Sequence, residues 1–229
     1  MTSRIRLKVA FYLNCLLLVL ELYALLNCYF GFIGNGGQGA FMFHFFTESS
    51  NALLALTTLL MLVYLGRALF GNHPIPKAIM IIRLIGVAAT MTTFWTVFIY
   101  LEPACLYFGW GLKMFSFPNM FFTHLTCPLL GLASFLFFEP VIPYKNRWAV
   151  SSFALISVFT YAAIIIPLAS LKLLSSDPNV NNVYAVCDAT VHPWYTVLAV
   201  SLVFLVTYFG AFLYLYLQKK IQSEPKKHA

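Results

Sequence analysis

Residues 45–51 read FFTESSN inside a stretch that is otherwise almost wholly apolar. Hydroxyls and a carboxylate in hydrocarbon have no water to satisfy them, so they face a bundle interior or a wet cavity and mark a working site. His44, Thr47, Glu48 and Asn51 follow at intervals of 3, 1 and 3, a spacing that a helix gathers on one face, and Thr58 extends the stripe. A second polar island, NMFFTHLTCP over residues 119–128, supplies His124, and a third supplies Thr93, Thr96 and Tyr100 at intervals of 3 and 4. These islands supply hydroxyls, an imidazole and a phenol, and their convergence is the most informative feature of the chain. Each has a plainer reading. Threonine and serine in membrane helices commonly bond a backbone carbonyl one turn back or join helices, and a single histidine is often a packing residue. Glu48 resists that reading because a carboxylate within a span usually has a function; Glu21 resists it too, though nothing gathers around it.

The elements that must position these groups follow from composition. Of 229 residues, 61% are hydrophobic and 9% charged, far from the roughly 25% charged of a soluble domain. The expected fold is all-α: one polytopic bundle of six transmembrane helices over Leu7–Phe30, Phe41–Leu65, Ala78–Leu101, Met120–Phe138, Trp148–Leu171 and Trp194–Leu217. The connections are short and rich in Gly, Pro and Asn, so residues 1–229 read as a single domain without repeats. With the second helix entering at Phe41, Thr47 lies about 9 Å along it; His124 lies about 6 Å along the fourth, which runs the same way. The outer end of the third helix reaches that layer with Thr93, Thr96 and Tyr100.

The net charge of +7 does not indicate nucleic acid, because twelve of the 14 Lys and Arg fall at one set of helix ends and only Lys113 and Lys172 at the other. The positive-inside rule then places both termini in the cytoplasm, in a membrane most simply read as the plasma membrane. Arg83, at the inner end of the third helix, is expected to snorkel to the headgroups. The first apolar run, after Arg4, Arg6 and Lys8, is too long for a signal peptide and lacks a cleavage site, so it reads as an uncleaved helix. Of five cysteines, Cys15, Cys28 and Cys127 read as packing residues, while Cys105 and Cys187 fall in outer loops where they can pair. No metal spacing, GxSxG elbow, P-loop or HExxH occurs, and the last span has no lysine for a retinal Schiff base. Neither metal nor cofactor is expected.

The layout resembles the androgen-induced and androgen-dependent membrane hydrolase family and its small bacterial relatives. FFTESSN is similar to that family's FxT-x-x-S/T-N signature opening the second helix, with Thr47 and Asn51 at the matching positions. HLTCP supplies the family's histidine and following proline as His124 and Pro128, and TVFIYL is similar to the Thr-x-x-x-Tyr-Leu stretch of the bacterial branch. The chain departs from that branch in ending its fourth helix with ASFLFFEP instead of an Asp-Trp pair. The resemblance implies hydrolysis of fatty acid esters of hydroxy fatty acids by a Thr47 nucleophile and a His124 base, with a lipid ester as partner. His44, Glu48, Asn51, Thr93, Thr96 and Tyr100 would line or support the cavity, and Glu48 or His44 would either orient His124 or only shape the cavity. Two rival readings use the same residues: a haem-binding electron carrier with His44 and His124 as axial ligands, and a small proton-coupled transporter or lipid-binding protein using Glu48 and Glu21.

Overall fold

The computed structural model of the chain describes residues 3–33, 37–107, 109, 111–115, 118–174, 189–190 and 193–223. Every element among them is helical, and six helices are long and apolar enough to cross a membrane. We number them α1 (Arg4–Phe30), α2 (Phe46–Gly71), α3 (Lys77–Tyr107), α4 (Asn119–Phe137), α5 (Arg147–Ser170) and α6 (Pro193–Ser223). The pairing proposed for Cys105 and Cys187 lies outside the described residues, because Cys187 does.

α3 is the centre of the bundle, packed on α2, α4, α5 and α6, while α1 lies against α2 and α4. Small residues make α3 suitable for this place: Gly86, Ala88, Ala89, Thr90, Thr92 and Thr93 are all buried and let neighbouring backbones come close. A Cβ added at Gly86 would stand 2.2 Å from Thr57 Oγ1 of α2, so only glycine permits that approach. Hydroxyl pairs join the helices where they meet: Ser50 with Thr93 at 3.0 Å between α2 and α3, Thr92 with Thr207 at 2.8 Å between α3 and α6. The outward faces carry large apolar side chains such as Phe70, Leu198 and Phe159. In water such a surface would drive association, whereas in hydrocarbon it is the expected exterior.

Helices α2, α3, α4 and α5 start or are interrupted in ways the residue pattern did not reveal. The chain before α2 forms a 3₁₀ turn over Gly39–His44, and Phe45 is extended at φ −95° and ψ 137°, so α2 begins at Phe46 and not Phe41. π-turns interrupt α3 at Val97–Leu101 and α4 at Phe122–Thr126, and a 3₁₀ turn at Ser152–Ala154 interrupts α5. Both π-turns precede a proline, Pro103 and Pro128. A proline ring in a helix collides with the carbonyl four residues back and has no N–H to offer it. Widening the turn removes the collision: the residue before each proline bonds five back, Glu102 N–H to Val97 O and Cys127 N–H to Phe122 O.

At the end of the bundle that carries Arg4, Lys77, Arg147 and Lys219, α6 clamps the foot of α4. Gln218 donates to Phe135 O at 2.9 Å and accepts from Ile142 N–H at 3.3 Å, and Gln222 donates to Leu136 O at 2.9 Å. Arg83 is not one of the charges at this end. It lies about 9 Å along α3 from Lys77 and is fully buried, which corrects the expectation that it snorkels. Its Nε donates to Glu139 Oε1 at 3.1 Å and its Nη1 to Thr58 Oγ1 at 2.7 Å. Asn14 and Ser134 donate to Glu139 Oε1 at 3.0 and 2.9 Å, so four helices meet on one buried ion pair. A buried arginine holds its charge only against a buried partner, and that partner outweighs the attraction of the distant headgroups.

Candidate functional site

Thr47 is the second residue of α2 and only 6% exposed. Among the described residues no side chain caps this helix, whose first-turn amides, beside Thr47, it cannot satisfy by itself. Asn51, one turn on and fully buried, ties this turn to α4: its Nδ2 donates to Thr47 O at 2.7 Å and to Thr123 O at 3.1 Å. The second bond has a cause in the sequence of α4. The carbonyl of Thr123 would be reached by the N–H of residue 127 in an α-helix or of residue 128 in a π-turn. Here the Cys127 N–H is turned to Phe122 and residue 128 is proline, so the Thr123 carbonyl has no donor in its own helix. Asn51 supplies it. The asparagine of FFTESSN and the proline of HLTCP are two halves of one hydrogen-bonding problem.

His124 follows Thr123 on the same π-turn and is 5% exposed. Its Nδ1 lies 2.8 Å from the carbonyl oxygen of Met114. A carbonyl can only accept, so Nδ1 carries the proton and the neutral ring keeps its lone pair on Nε2. That is the tautomer a general base needs. Met114 is held in turn, its N–H donating to Glu102 Oε2 at 3.0 Å.

Among the described residues no hydrogen bond joins Thr47 to His124; Asn51 bridges their turns instead. Ser50, which donates to Thr47 O at 2.9 Å, pairs with Thr93, so Thr93 belongs to the wall behind Thr47. The remaining expected residues are placed elsewhere. Thr96 bonds the carbonyl of Thr92 at 2.8 Å, the local bond its type favours. Tyr100 stands on the π-turn of α3 and is 61% exposed. His44 ends the 3₁₀ turn and leaves the helical face of Thr47, since three residues per turn and an extended Phe45 break the register. Its ring packs edge-on to Phe41 and its carbonyl accepts from Tyr161 at 2.5 Å. Glu48 turns towards α1, where Cys28 Sγ lies 4.0 Å from its Oε1. Neither Glu48 nor His44 orients His124; the Met114 carbonyl does.

Sequence reasoning missed Met114 and Glu102, and also the Asn14–Ser134–Glu139 group around Arg83. Glu102 and Glu139 each stand before a proline just past an apolar run, which reads as a loop. A usable signal was scarcity: the chain has only 7 acidic residues, and three of them, Glu102, Glu139 and Glu224, sit in Glu-Pro pairs. Glu21 is fully buried, with the Cys127 thiol beside its carboxylate. A groove of about 400 Å³ opens on the flank of the bundle between α2, α3 and α5, lined by Phe46, Ser50, Thr57, Ile85, Ile156 and Tyr161 among others. No group of three or more His, Cys, Asp or Glu among the described residues is placed to hold a metal. Compared with family models, curated proteins and solved structures, the chain matches none.

Proposed function

We propose that this chain is a multi-pass membrane hydrolase of lipid esters, of the kind that cleaves fatty acid esters of hydroxy fatty acids, with Thr47 as nucleophile and His124 as base. In this reading both termini are cytoplasmic, the membrane is the plasma membrane, and the site lies near the outer face. The observation that carries the reading is the 2.8 Å bond from His124 Nδ1 to Met114 O, which leaves Nε2 able to take a proton on the turn that Asn51 ties to Thr47.

The mechanism follows from these positions. His124 Nε2 removes the proton of Thr47 Oγ1 as that oxygen attacks the ester carbonyl carbon. The oxyanion of the tetrahedral intermediate is held by first-turn amides of α2, at the positive end of the helix. Collapse breaks the ester C–O bond, and the imidazolium returns its proton to the leaving alkoxide as the hydroxy acid departs. A water, deprotonated by the same imidazole, then hydrolyses the threonyl ester and releases the fatty acid. The unbonded Thr47–His124 pair is compatible with this course, because catalytic hydrogen bonds often close only around substrate. The flank groove reaches Ser50, one turn from Thr47, and its volume falls within the roughly 300–1,000 Å³ of small-molecule sites. An acyl chain entering from the bilayer would lie there.

The test is hydrolysis of a hydroxy-fatty-acid ester by detergent-purified protein. Wild type is expected to turn over, and Thr47→Ala and His124→Ala each to lose at least about 100-fold in kcat, the lower range for a lost nucleophile or base, while keeping a cooperative melt. Cleavage by Thr47→Ala at the wild-type rate overturns the assignment.

A further inference from the structure

We propose that Glu102 is the positioning residue of the site, acting on His124 through the backbone of Met114. The inference rests on the hydrolase reading for its consequence but not for its geometry. Met114 is gripped from both sides of its backbone: its N–H donates to Glu102 Oε2 at 3.0 Å, and its carbonyl accepts the Nδ1–H of His124 at 2.8 Å. Met114 belongs to a single 3₁₀ turn, Lys113–Phe115, in the connection between α3 and α4. One short turn does not hold a carbonyl in a fixed direction by its own hydrogen bonds. Glu102 does so from a rigid base. It is 5% exposed and stands immediately after the π-turn of α3, where Pro103 fixes the backbone. The carboxylate therefore sets where Met114 O points, and Met114 O sets which ring nitrogen of His124 carries the proton. Without that anchor the ring is free to take the other tautomer, whose Nε2 bears a hydrogen and cannot accept one from Thr47.

What Glu102 supplies is an acceptor in the right place, and among the described residues its other oxygen, Oε1, has no hydrogen-bond partner. Glutamine can therefore substitute by turning its amide oxygen to Met114. Aspartate keeps the charge but is one methylene too short, and leucine removes the acceptor. The three variants separate position from charge.

The experiment measures kcat and KM on the ester substrate together with the ¹⁵N spectrum of histidine-labelled protein, the His124 resonances being assigned by difference against His124→Ala. Wild type and Glu102→Gln are expected to show the Nδ1–H tautomer of His124 and similar kcat. Glu102→Asp and Glu102→Leu are expected to populate the Nε2–H tautomer and to lose about 100-fold in kcat with KM little changed, the size expected of a misplaced reacting group. Should Glu102→Leu not fold, the Asp and Gln pair decides alone, since both keep a polar group at the position. An unchanged tautomer in Glu102→Asp overturns the positioning role, as does a Glu102→Gln protein as damaged as Glu102→Asp. If wild type cleaves no ester but the tautomer shifts in Glu102→Asp, the positioning role stands and the hydrolase reading falls. If wild type cleaves and the tautomer does not shift, the reverse holds.

Discussion

Asn51 makes two hydrogen bonds with one nitrogen, and both go to backbone carbonyls that matter, those of Thr47 and Thr123. Replacing it by leucine keeps the branched shape, though larger, but leaves the Thr123 carbonyl buried without a donor. The cost of such an orphaned group is about 1–3 kcal/mol, so Asn51→Leu is expected to lower the melting temperature in detergent by several degrees and to reduce ester turnover. A melt unchanged from wild type would show that water or another group takes the bond. From the sequence Asn51 could be assigned to the site by its place in FFTESSN, but not what it bonds. Its partner is a carbonyl, and carbonyls carry no signature in a list of side chains.

At the scale of the element, the two π-turns shift the groups that follow them on α3 and α4. In α4 the turn exists because Pro128 cannot accept the geometry of a regular helix, and it is this turn that presents His124. Pro128→Ala lets residue 128 donate and the turn relax to α, which rotates His124 by about 100° relative to the rest of α4. We expect the variant to be at least as stable as wild type and to lose most of its activity, as read by melting and by ester hydrolysis in parallel. The same substitution returns the Cys127 N–H to Thr123 O, so Asn51→Leu should cost less stability in a Pro128→Ala background than alone. A double-mutant cycle measures this coupling, and strict additivity would refute the shared origin of the two motifs. Helix periodicity assumes 3.6 residues per turn, and a π-turn or an extended Phe45 breaks it locally. That is why the helical register expected for Tyr100 and His44 is not the one they take.

For the whole molecule, the ion pair of Arg83 and Glu139 is where the fold is most exposed to single changes. Arg83 and Glu139 are 0% and 1% exposed, on α3 and just past α4, and Asn14, Thr58 and Ser134 bring in α1, α2 and α4. Removing one partner leaves a buried charge alone, at a cost of about 3–5 kcal/mol. Arg83→Leu or Glu139→Leu alone should therefore abolish the folded bundle or shift its melt sharply downwards. The double variant, with neither charge, should recover much of that loss. Equal damage in the single and double variants would mean that the pair does not act as a unit.

Six long apolar segments, their spacing and the skew of Lys and Arg to one set of ends are properties of the chain itself, because a hydrocarbon slab selects on length and polarity alone. The polar islands around Thr47 and His124 were also readable, since polar residues are conspicuous in apolar surroundings. The tertiary structure decided what those islands touch. It turned Glu48 to α1, left Tyr100 exposed, drew Arg83 inward to Glu139, and gave the orientation of His124 to a backbone carbonyl held by Glu102. These outcomes depend on which backbone groups prolines leave unsatisfied and on which side chains from other helices can reach them, and both are settled only when the helices pack.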